Sequence, residues 1–313
     1  MEDIAIIGSG LIGRAWATVY SRAGHPVKLY DSAPGAVDKA LGLILEGLHD
    51  LRRAGLVDEA PAAVAARITA APSLEAAVAQ ADYVQENTSE DEAVKQSVFS
   101  ALDAAAPPHC ILASSTSTIQ TSRFAGHVPG RARCIVAHPV NPPHLVPVVE
   151  ISPAPFTSPE VVERTRSLQQ RVGQVPVMVN REVEGFVLNR LQAALLLEAW
   201  SLVDQGVVSV DDVDKCIRDG LGLRWAFMGP FETIDLNAPG GVADYAQRYG
   251  PKMHGMMAGS QYHPWEGEVV RRVEQERRAL MPHSEHAARE AWRDSRLMAL
   301  IAHKRAMEEK DNG

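Results

Sequence analysis

The stretch Ile4-Ala5-Ile6-Ile7-Gly8-Ser9-Gly10-Leu11-Ile12-Gly13 decides how the rest of this chain is read. Four apolar residues in a row read as a strand buried on both faces, and the glycines behind them open a helix over residues 11–23. A second apolar run at Val27–Tyr30 completes a strand–helix–strand unit. A lone GxGxxG carries little information, but directly after a strand and at the mouth of a helix it is the fingerprint of a dinucleotide-binding turn. Gly8 permits the tight turn, Gly10 lets the backbone approach a pyrophosphate, and Gly13 lets helix and strand pack closely. The helix N-terminus at Leu11 and Ile12 supplies unpaired N–H groups and partial positive charge. Asp31 ends the second strand at about the 20-residue spacing of the carboxylate that accepts adenosine ribose hydroxyls. Its charge opposes a 2′-phosphate, and Ser32-Ala33-Pro34 offers no arginine to receive one, so the cofactor expected is NAD. A turn aspartate at a strand end is the plainer reading of the same residue.

Working outward, Val37, Leu41, Ile44, Leu45, Leu48 and Leu51 follow helical spacing and predict an inserted helical arm. Short strands follow at residues 67–69, 83–84, 110–113, 135–137, 146–151 and 175–179, with helices at 74–79 and 159–172. Prolines crowd the stretch from Pro139 to Pro159. From Gly185 the pattern is helical only: Phe186, Leu188, Leu191, Leu195, Ala199, Leu202 and Val203 form a stripe, and no strand pattern appears after it. The fold class expected is α/β, with an N-terminal Rossmann-type domain over residues 1–182 and an all-helical domain over residues 183–313 for substrate and dimerisation.

Composition narrows the function classes. Of 313 residues, 46% are hydrophobic and 22% charged, which excludes a disordered or fibrous chain. The net charge of −8 opposes a sequence-independent hold on nucleic acid or on an anionic membrane. Cys110, Cys134 and Cys216 are scattered and odd in number, so neither a disulfide framework nor a metal site is read, and a reducing, cytoplasmic setting fits. Met1-Glu2-Asp3 is acidic where a signal peptide would be basic. The longest apolar helix pattern, Leu191 to Val203, is interrupted by Gln192, Glu198 and Ser201, so no membrane span is expected.

An enzyme that passes hydride from an alcohol to nicotinamide needs a base for the hydroxyl proton, and histidine titrates in the useful range. His138 ends a strand at the carboxyl edge of the sheet, where ligands of this architecture bind. Glu150 sits in the apolar strand Val148-Val149-Glu150-Ile151, and a carboxylate in such company needs a partner. A His138–Glu150 pair would fix the imidazole tautomer. From spacing alone, a strand-end histidine beside a separately solvated glutamate is an equal reading.

At these residues the chain resembles the 3-hydroxyacyl-CoA dehydrogenase family. The resemblance is carried by His138-Pro-Val-Asn141-Pro-Pro with Glu150, Gly185-Phe-Val-Leu-Asn189-Arg190-Leu191, Ser114-Ser115-Thr116-Ser117 and Gly229-Pro230-Phe231-Glu232, in family order. Ser115 replaces the asparagine usual in the third motif. Gly10-Leu-Ile-Gly-Arg14-Ala-Trp16 and Asp219-Gly-Leu-Gly-Leu-Arg224-Trp-Ala-Phe-Met-Gly-Pro230 are most similar to the lambda-crystallin, or L-gulonate 3-dehydrogenase, branch. The resemblance implies that His138 is the base, that Glu150 orients it, that Ser117 hydrogen-bonds the reacting oxygen, and that Asn189 donates to substrate from the second domain's first helix. It also places Glu86 and Asn87 beside the nicotinamide ribose, and it implies a homodimer. Without it, Ser117 and Asn189 read equally as caps, and Glu86 as a solvated loop residue. Arg224 is either a clamp for the carboxylate of a small 3-hydroxy acid or half of a surface salt bridge. The arm carries only Lys39, Arg52 and Arg53, which disfavours CoA phosphates. The function expected is NAD-dependent oxidation of a small polar 3-hydroxy acid, L-gulonate to 3-dehydro-L-gulonate. The alternatives are a 3-hydroxyacyl-CoA or L-carnitine as substrate and, in a different class, a non-catalytic NAD(H)-binding structural protein of the crystallin type.

Overall fold

The computed structural model describes residues 1–258 and 265–311. Among them eight strands form one sheet: β1 (Ile4–Ile7), β2 (Val27–Tyr30), β3 (Ile68–Ala70), β4 (Tyr83–Glu86), β5 (Ile111–Ser114), β6 (Cys134–Pro139), β7 (Val148–Pro153) and β8 (Val175–Met178). Their order is β3-β2-β1-β4-β5-β6-β7-β8. Every neighbouring pair is parallel except β6 and β7, which run antiparallel. The strand order reverses at β1 and β4, and a doubly wound sheet opens its ligand crevice at the carboxyl ends of such a pair. Gly8 follows β1, and Asn87 follows β4.

Alternation along the central strands explains their unbroken apolar sequence. Ile4 and Ile6 join one buried cluster with Trp16, Tyr20 and Leu29, whereas Ala5 and Ile7 join another with Val84, Leu112 and Val136. A strand covered on both faces has no polar side to show. On the helix Leu11–Arg22, Trp16 and Tyr20 lie one turn apart and stack at 5.4 Å between ring centroids. The arm is the helix Ala36–Arg53 followed by Pro61–Ala65, and its buried stripe of Ala40, Ile44, Leu48 and Leu51 packs into the first cluster.

The chain divides into two compact units, Met1–Asn189 joined by the last helix from Ala291 on, and Arg190–Glu290. The described residues of the second unit form helices and connections only. Expectation and structure part over the last helix, His286–Asp311, which the sequence division grouped with the helical domain. Its stripe of Leu297, Met298, Ile301 and Ala302 packs against the core cluster of the sheet unit, and Arg305 donates to the Leu56 carbonyl at 3.4 Å. A stripe of helical period shows that a face is covered without showing by what. No helix among the described residues is long and apolar enough to cross a membrane.

Gly13 shows how tightly the opening unit is built, since a Cβ there would stand 1.9 Å from the Gly8 carbonyl oxygen. Backbone cannot step aside as a flexible side chain can. Gly13→Ala is expected to lower the unfolding free energy by about 1–3 kcal/mol, as measured by urea denaturation.

Candidate active site

The cradle at the end of β1 is shaped by two glycines, of which Gly8 is the one no other residue could replace. Gly8 has φ +92°, and a Cβ on it would lie 2.6 Å from the Asn87 carbonyl oxygen. Gly10, by contrast, faces open space, with no atom within 4 Å of the place a Cβ would take. It is the N-cap of the helix Leu11–Arg22 and provides no side-chain cap, so the first-turn N–H groups at Leu11 and Ile12 point outward at an exposed surface. Asp31 closes the far side of the cradle. Its Oδ2 accepts from the Ser9 N–H at 2.7 Å and the Ser9 hydroxyl at 2.8 Å, and its Oδ1 accepts from the Ala33 N–H at 2.9 Å. Burial pushes the carboxyl up, but these three donors outweigh it and hold Asp31 below its ordinary pKa. An uncapped helix N-terminus, a glycine with free space over it and an ionised carboxylate at the second strand's end fit an adenine dinucleotide.

His138 and Glu150 face each other across the antiparallel pair β6/β7 as direct cross-strand partners. His138 Nδ1 and Glu150 Oε2 are 2.8 Å apart, and Glu150 is 1% exposed. The other carboxylate oxygen accepts from the N–H groups of Val187 at 2.8 Å and Leu188 at 2.9 Å, the entry to the helix Leu188–Asp204. Burial raises the Glu150 pKa, but the bonds from His138, Leu188 and Val187 prevail and leave it below its ordinary value. Facing Glu150, the neutral form of the imidazole carries its proton on Nδ1, and Nε2 is then the nitrogen left to act as a base.

The turn that aims those two N–H groups is strained. Gly185 has φ +73° and Phe186 φ +50°, a conformation that side-chain-bearing residues seldom adopt. Phe186 is fully buried, with its ring 5.5 Å from the His138 imidazole.

Ser117 is held from both sides by its backbone. Its N–H donates to Glu90 Oε1 at 2.9 Å, and its carbonyl accepts from Asn189 Nδ2 at 2.8 Å. Its hydroxyl has no partner among the described residues. Asn189 therefore falls with the sheet unit and anchors the Ser117 loop, a contact the sequence reading did not foresee. One N–H and the carbonyl of its amide remain available.

Glu86 departs from expectation more sharply. It is fully buried, with its carboxylate taken up by Lys95 Nζ at 3.0 and 3.1 Å, the Ser114 hydroxyl at 2.5 Å, and the Thr88 N–H and hydroxyl at 2.6 and 2.5 Å. It presents no oxygen to the crevice, because a buried carboxylate gathers every donor within reach. Asn87 is likewise engaged: its amide donates to the Gln85 carbonyl at 2.7 Å and accepts from Ser115 at 2.7 Å. Ser115 explains its own departure from the usual asparagine, since its hydroxyl also accepts from Trp16 Nε1 at 3.0 Å and Gln85 Nε2 at 2.7 Å. Arg224 lies exposed on a short helix, Gly222–Trp225, and no salt bridge or side-chain hydrogen bond holds its guanidinium among the described residues.

Sequence reasoning passed over Glu90 and Lys95. Ser89-Glu90-Asp91-Glu92 reads as the acidic entry to a helix, and Asp91 is indeed the N-cap, accepting from the Val94 N–H at 2.9 Å. Lys95 reads as a solvated helix residue yet is 1% exposed.

Comparison with known proteins gives the family. The family model for the 3-hydroxyacyl-CoA dehydrogenase NAD binding domain matches residues 3–183, and that for the C-terminal domain of the same family matches residues 185–275. A lambda-crystallin homolog of Bos taurus is 43% identical over 302 residues, covering 95% of this chain and 94% of that protein. An L-carnitine dehydrogenase of Burkholderia mallei is 38% identical over 254 residues, covering 81% of this chain and 78% of its own. The solved structure of 5-formyl-3-hydroxy-2-methylpyridine 4-carboxylic acid 5-dehydrogenase, an NAD+-dependent dismutase, superposes with a TM-score of 0.82 at 28% identity over 98% of this chain and 99% of that one. The chain belongs to the 3-hydroxyacyl-CoA dehydrogenase family and is an NAD-dependent oxidoreductase acting on CH–OH groups.

Proposed function

We propose that this chain oxidises the 3-hydroxyl of a small, polar 3-hydroxy acid, with L-gulonate to 3-dehydro-L-gulonate as the leading reaction. The observation that carries the chemistry is the buried His138–Glu150 pair, which leaves Nε2 as an open base. The residue that carries the substrate class is Arg224, whose guanidinium has no salt-bridge or hydrogen-bond partner among the described residues and which stands in a motif that resembles the lambda-crystallin branch.

The N–H groups that follow Gly10 and the carboxylate of Asp31 would hold NAD, which would supply the hydride acceptor. The chain's own residues do the rest. His138 Nε2 takes the hydroxyl proton as the carbon–hydrogen bond breaks, and the imidazolium formed is stabilised by Glu150. Glu150 remains ionised because its hydrogen bonds hold its pKa down. The Ser117 hydroxyl donates to the reacting oxygen, and the remaining donor capacity of Asn189 serves the same substrate. Arg224 pairs with the substrate carboxylate through two parallel N–H···O bonds. The sheet-bearing part, residues 1–182, is the NAD domain in this reading.

Two further readings have named relatives behind them. The first is L-carnitine, which is also a 3-hydroxy acid, and the second is a 3-hydroxyacyl-CoA. Both use the same His138 and Glu150. We assign the protein to the cytoplasm and to a homodimer formed through the helical part, where Leu191, Phe227, Phe231 and Leu236 are exposed.

Four outcomes are expected. Glu150→Gln lowers kcat by roughly 10²–10⁴-fold and leaves the Kd for NADH, read by fluorescence titration, unchanged. In a side-by-side NAD-reduction assay L-gulonate is oxidised faster than 3-hydroxybutyryl-CoA, free 3-hydroxybutyrate or L-carnitine, and Arg224→Met raises the KM for L-gulonate about 10–100-fold. An unchanged KM sinks the clamp, and preference for the thioester sinks the small-acid reading. Light scattering gives a particle mass of twice the 33.9 kDa chain, and a monomer refutes the assembly.

A further inference from the structure

Strand β6 runs on past its neighbour. Its register with β5 ends at Ser114 opposite Val136, while β6 continues to Pro139. The Val140 N–H donates to the Val148 carbonyl at 3.2 Å, so alternate residues of β6 turn their backbone to β7, and Ala137 turns its carbonyl the other way, over the end of β5. The ladder would next offer the Thr116 N–H, but that group donates to the Ser114 hydroxyl at 3.2 Å. Ala137 is fully buried, and a buried carbonyl needs a donor. Gln85 supplies it from β4, two strands away in the sheet, with its Nε2 3.2 Å from the Ala137 oxygen.

The orientation of that amide is fixed at both ends. The Ala137 carbonyl can only accept, so the end of Gln85 that faces it is the NH2. The second N–H goes to Ser115 Oγ at 2.7 Å, which also takes the indole N–H of Trp16 at 3.0 Å and therefore gives its own proton to Asn87 Oδ1 at 2.7 Å. At the other end Gln85 Oε1 accepts the hydroxyls of Tyr20 at 3.3 Å and Tyr83 at 3.2 Å. Gln169, on the helix Pro159–Arg171, donates from Nε2 to both phenol oxygens at 2.9 and 3.3 Å, which turns their protons toward Gln85. Burial pushes both phenols above their ordinary pKa, so each keeps the proton it donates. With every polar atom of its amide engaged, a fully buried Gln85 has one arrangement.

The carbonyl of Ala137 and the N–H of His138 belong to one planar peptide, so a bond to the first sets the plane from which the imidazole projects. Glu150 holds the ring by Nδ1, Phe186 lies beside it, and Gln85 holds the peptide behind it. We propose that Gln85 is a positioning residue for His138, acting through the Ala137 carbonyl and not by touching substrate. Tyr20, Tyr83 and Ser115 hold Gln85 in turn. The inference rests on the role proposed above for His138 as the base. A proton acceptor displaced by about 1 Å can cost on the order of 10²-fold in rate, which makes the bracing of its backbone matter.

The test is a double-mutant cycle read with the fastest-oxidised compound of the substrate panel. Gln85→Met keeps the length of the side chain and removes both donors. It is expected to lower kcat about 10–100-fold, with the KM for that compound and the Kd for NADH within about threefold of the parent. NADH still binds at one equivalent per chain by fluorescence titration, so the loss is one of rate and not of folded protein. Gln85→Leu gives the same split between kcat and KM. In a His138→Ala background Gln85→Met lowers the residual kcat no further, because the group it places is gone. Multiplying losses overturn the proposal while leaving the role of His138 intact, and so does a Gln85→Met loss matched by an equal fall in NADH-binding equivalents. A His138→Ala chain with the parent kcat overturns both. A crystal structure of the Gln85→Met chain provides a reading without turnover: the Ala137 carbonyl turns and the imidazole shifts with it, and an unmoved His138 overturns the proposal.

Discussion

A carboxylate sealed between two strands must be answered by donors on every side, and Glu150 imposes that requirement on the whole site. The antiparallel pairing of β6 with β7 sets it opposite His138, which answers one oxygen. The other oxygen is answered by two backbone N–H groups that the chain can deliver only by turning sharply before residue 187. Gly185 and Phe186 absorb that turn in left-handed conformations, and Phe186 is held there by complete burial beside the imidazole. Local strain of about 1–3 kcal/mol is tolerable where it satisfies a buried charge whose abandonment would cost as much or more. The helix Leu188–Asp204 therefore begins where Glu150 needs its N-terminus, and Asn189 arrives within reach of Ser117 as a result.

The second buried charge, Glu86 with Lys95, does for the Ser117 loop what Glu150 does for the histidine. A fully desolvated ion pair is a weak source of stability, because removing both charges from water costs several kcal/mol that their attraction only partly returns. It is a strong source of geometry, because every hydrogen-bonding group near it has one favourable place. The Glu86–Lys95 ion pair at the end of β4 and the His138–Glu150 hydrogen bond across β6 and β7 each fix the polar groups around them.

The opening fingerprint was legible because its chemistry is local. The positive φ of Gly8 and the close approach of Gly13 to the Gly8 carbonyl are constraints met within a few residues of chain, and the alternation of Ile4–Ile7 needs only a sheet with two covered faces. His138 and Glu150 were legible as candidates, since an acid in an apolar strand demands a partner. Their pairing was one of two equal readings from spacing and was implied by the family resemblance, and the antiparallel register decides it. Glu86 misled for a related reason. At a strand end a glutamate faces either the crevice or the interior, and the choice depended on Lys95, Ser114 and Thr88 converging from other elements. Glu90 was hidden inside an acidic run whose ordinary meaning is a helix entry. The last helix was assigned to the wrong neighbour because the surface that covers its stripe lies far away in the chain.

By itself, then, the sequence determined the sheet-first architecture, the dinucleotide turn and NAD as the cofactor, and it named Asp31 and His138 as candidates, all from residue type and short spacing. The tertiary structure decided which acid serves the histidine, which acid is withdrawn into the interior, and which side chains hold the loop of Ser117. Those outcomes are questions of which donor reaches a buried charge first. The answer depends on strand register and helix placement over long stretches of chain, which no local pattern records.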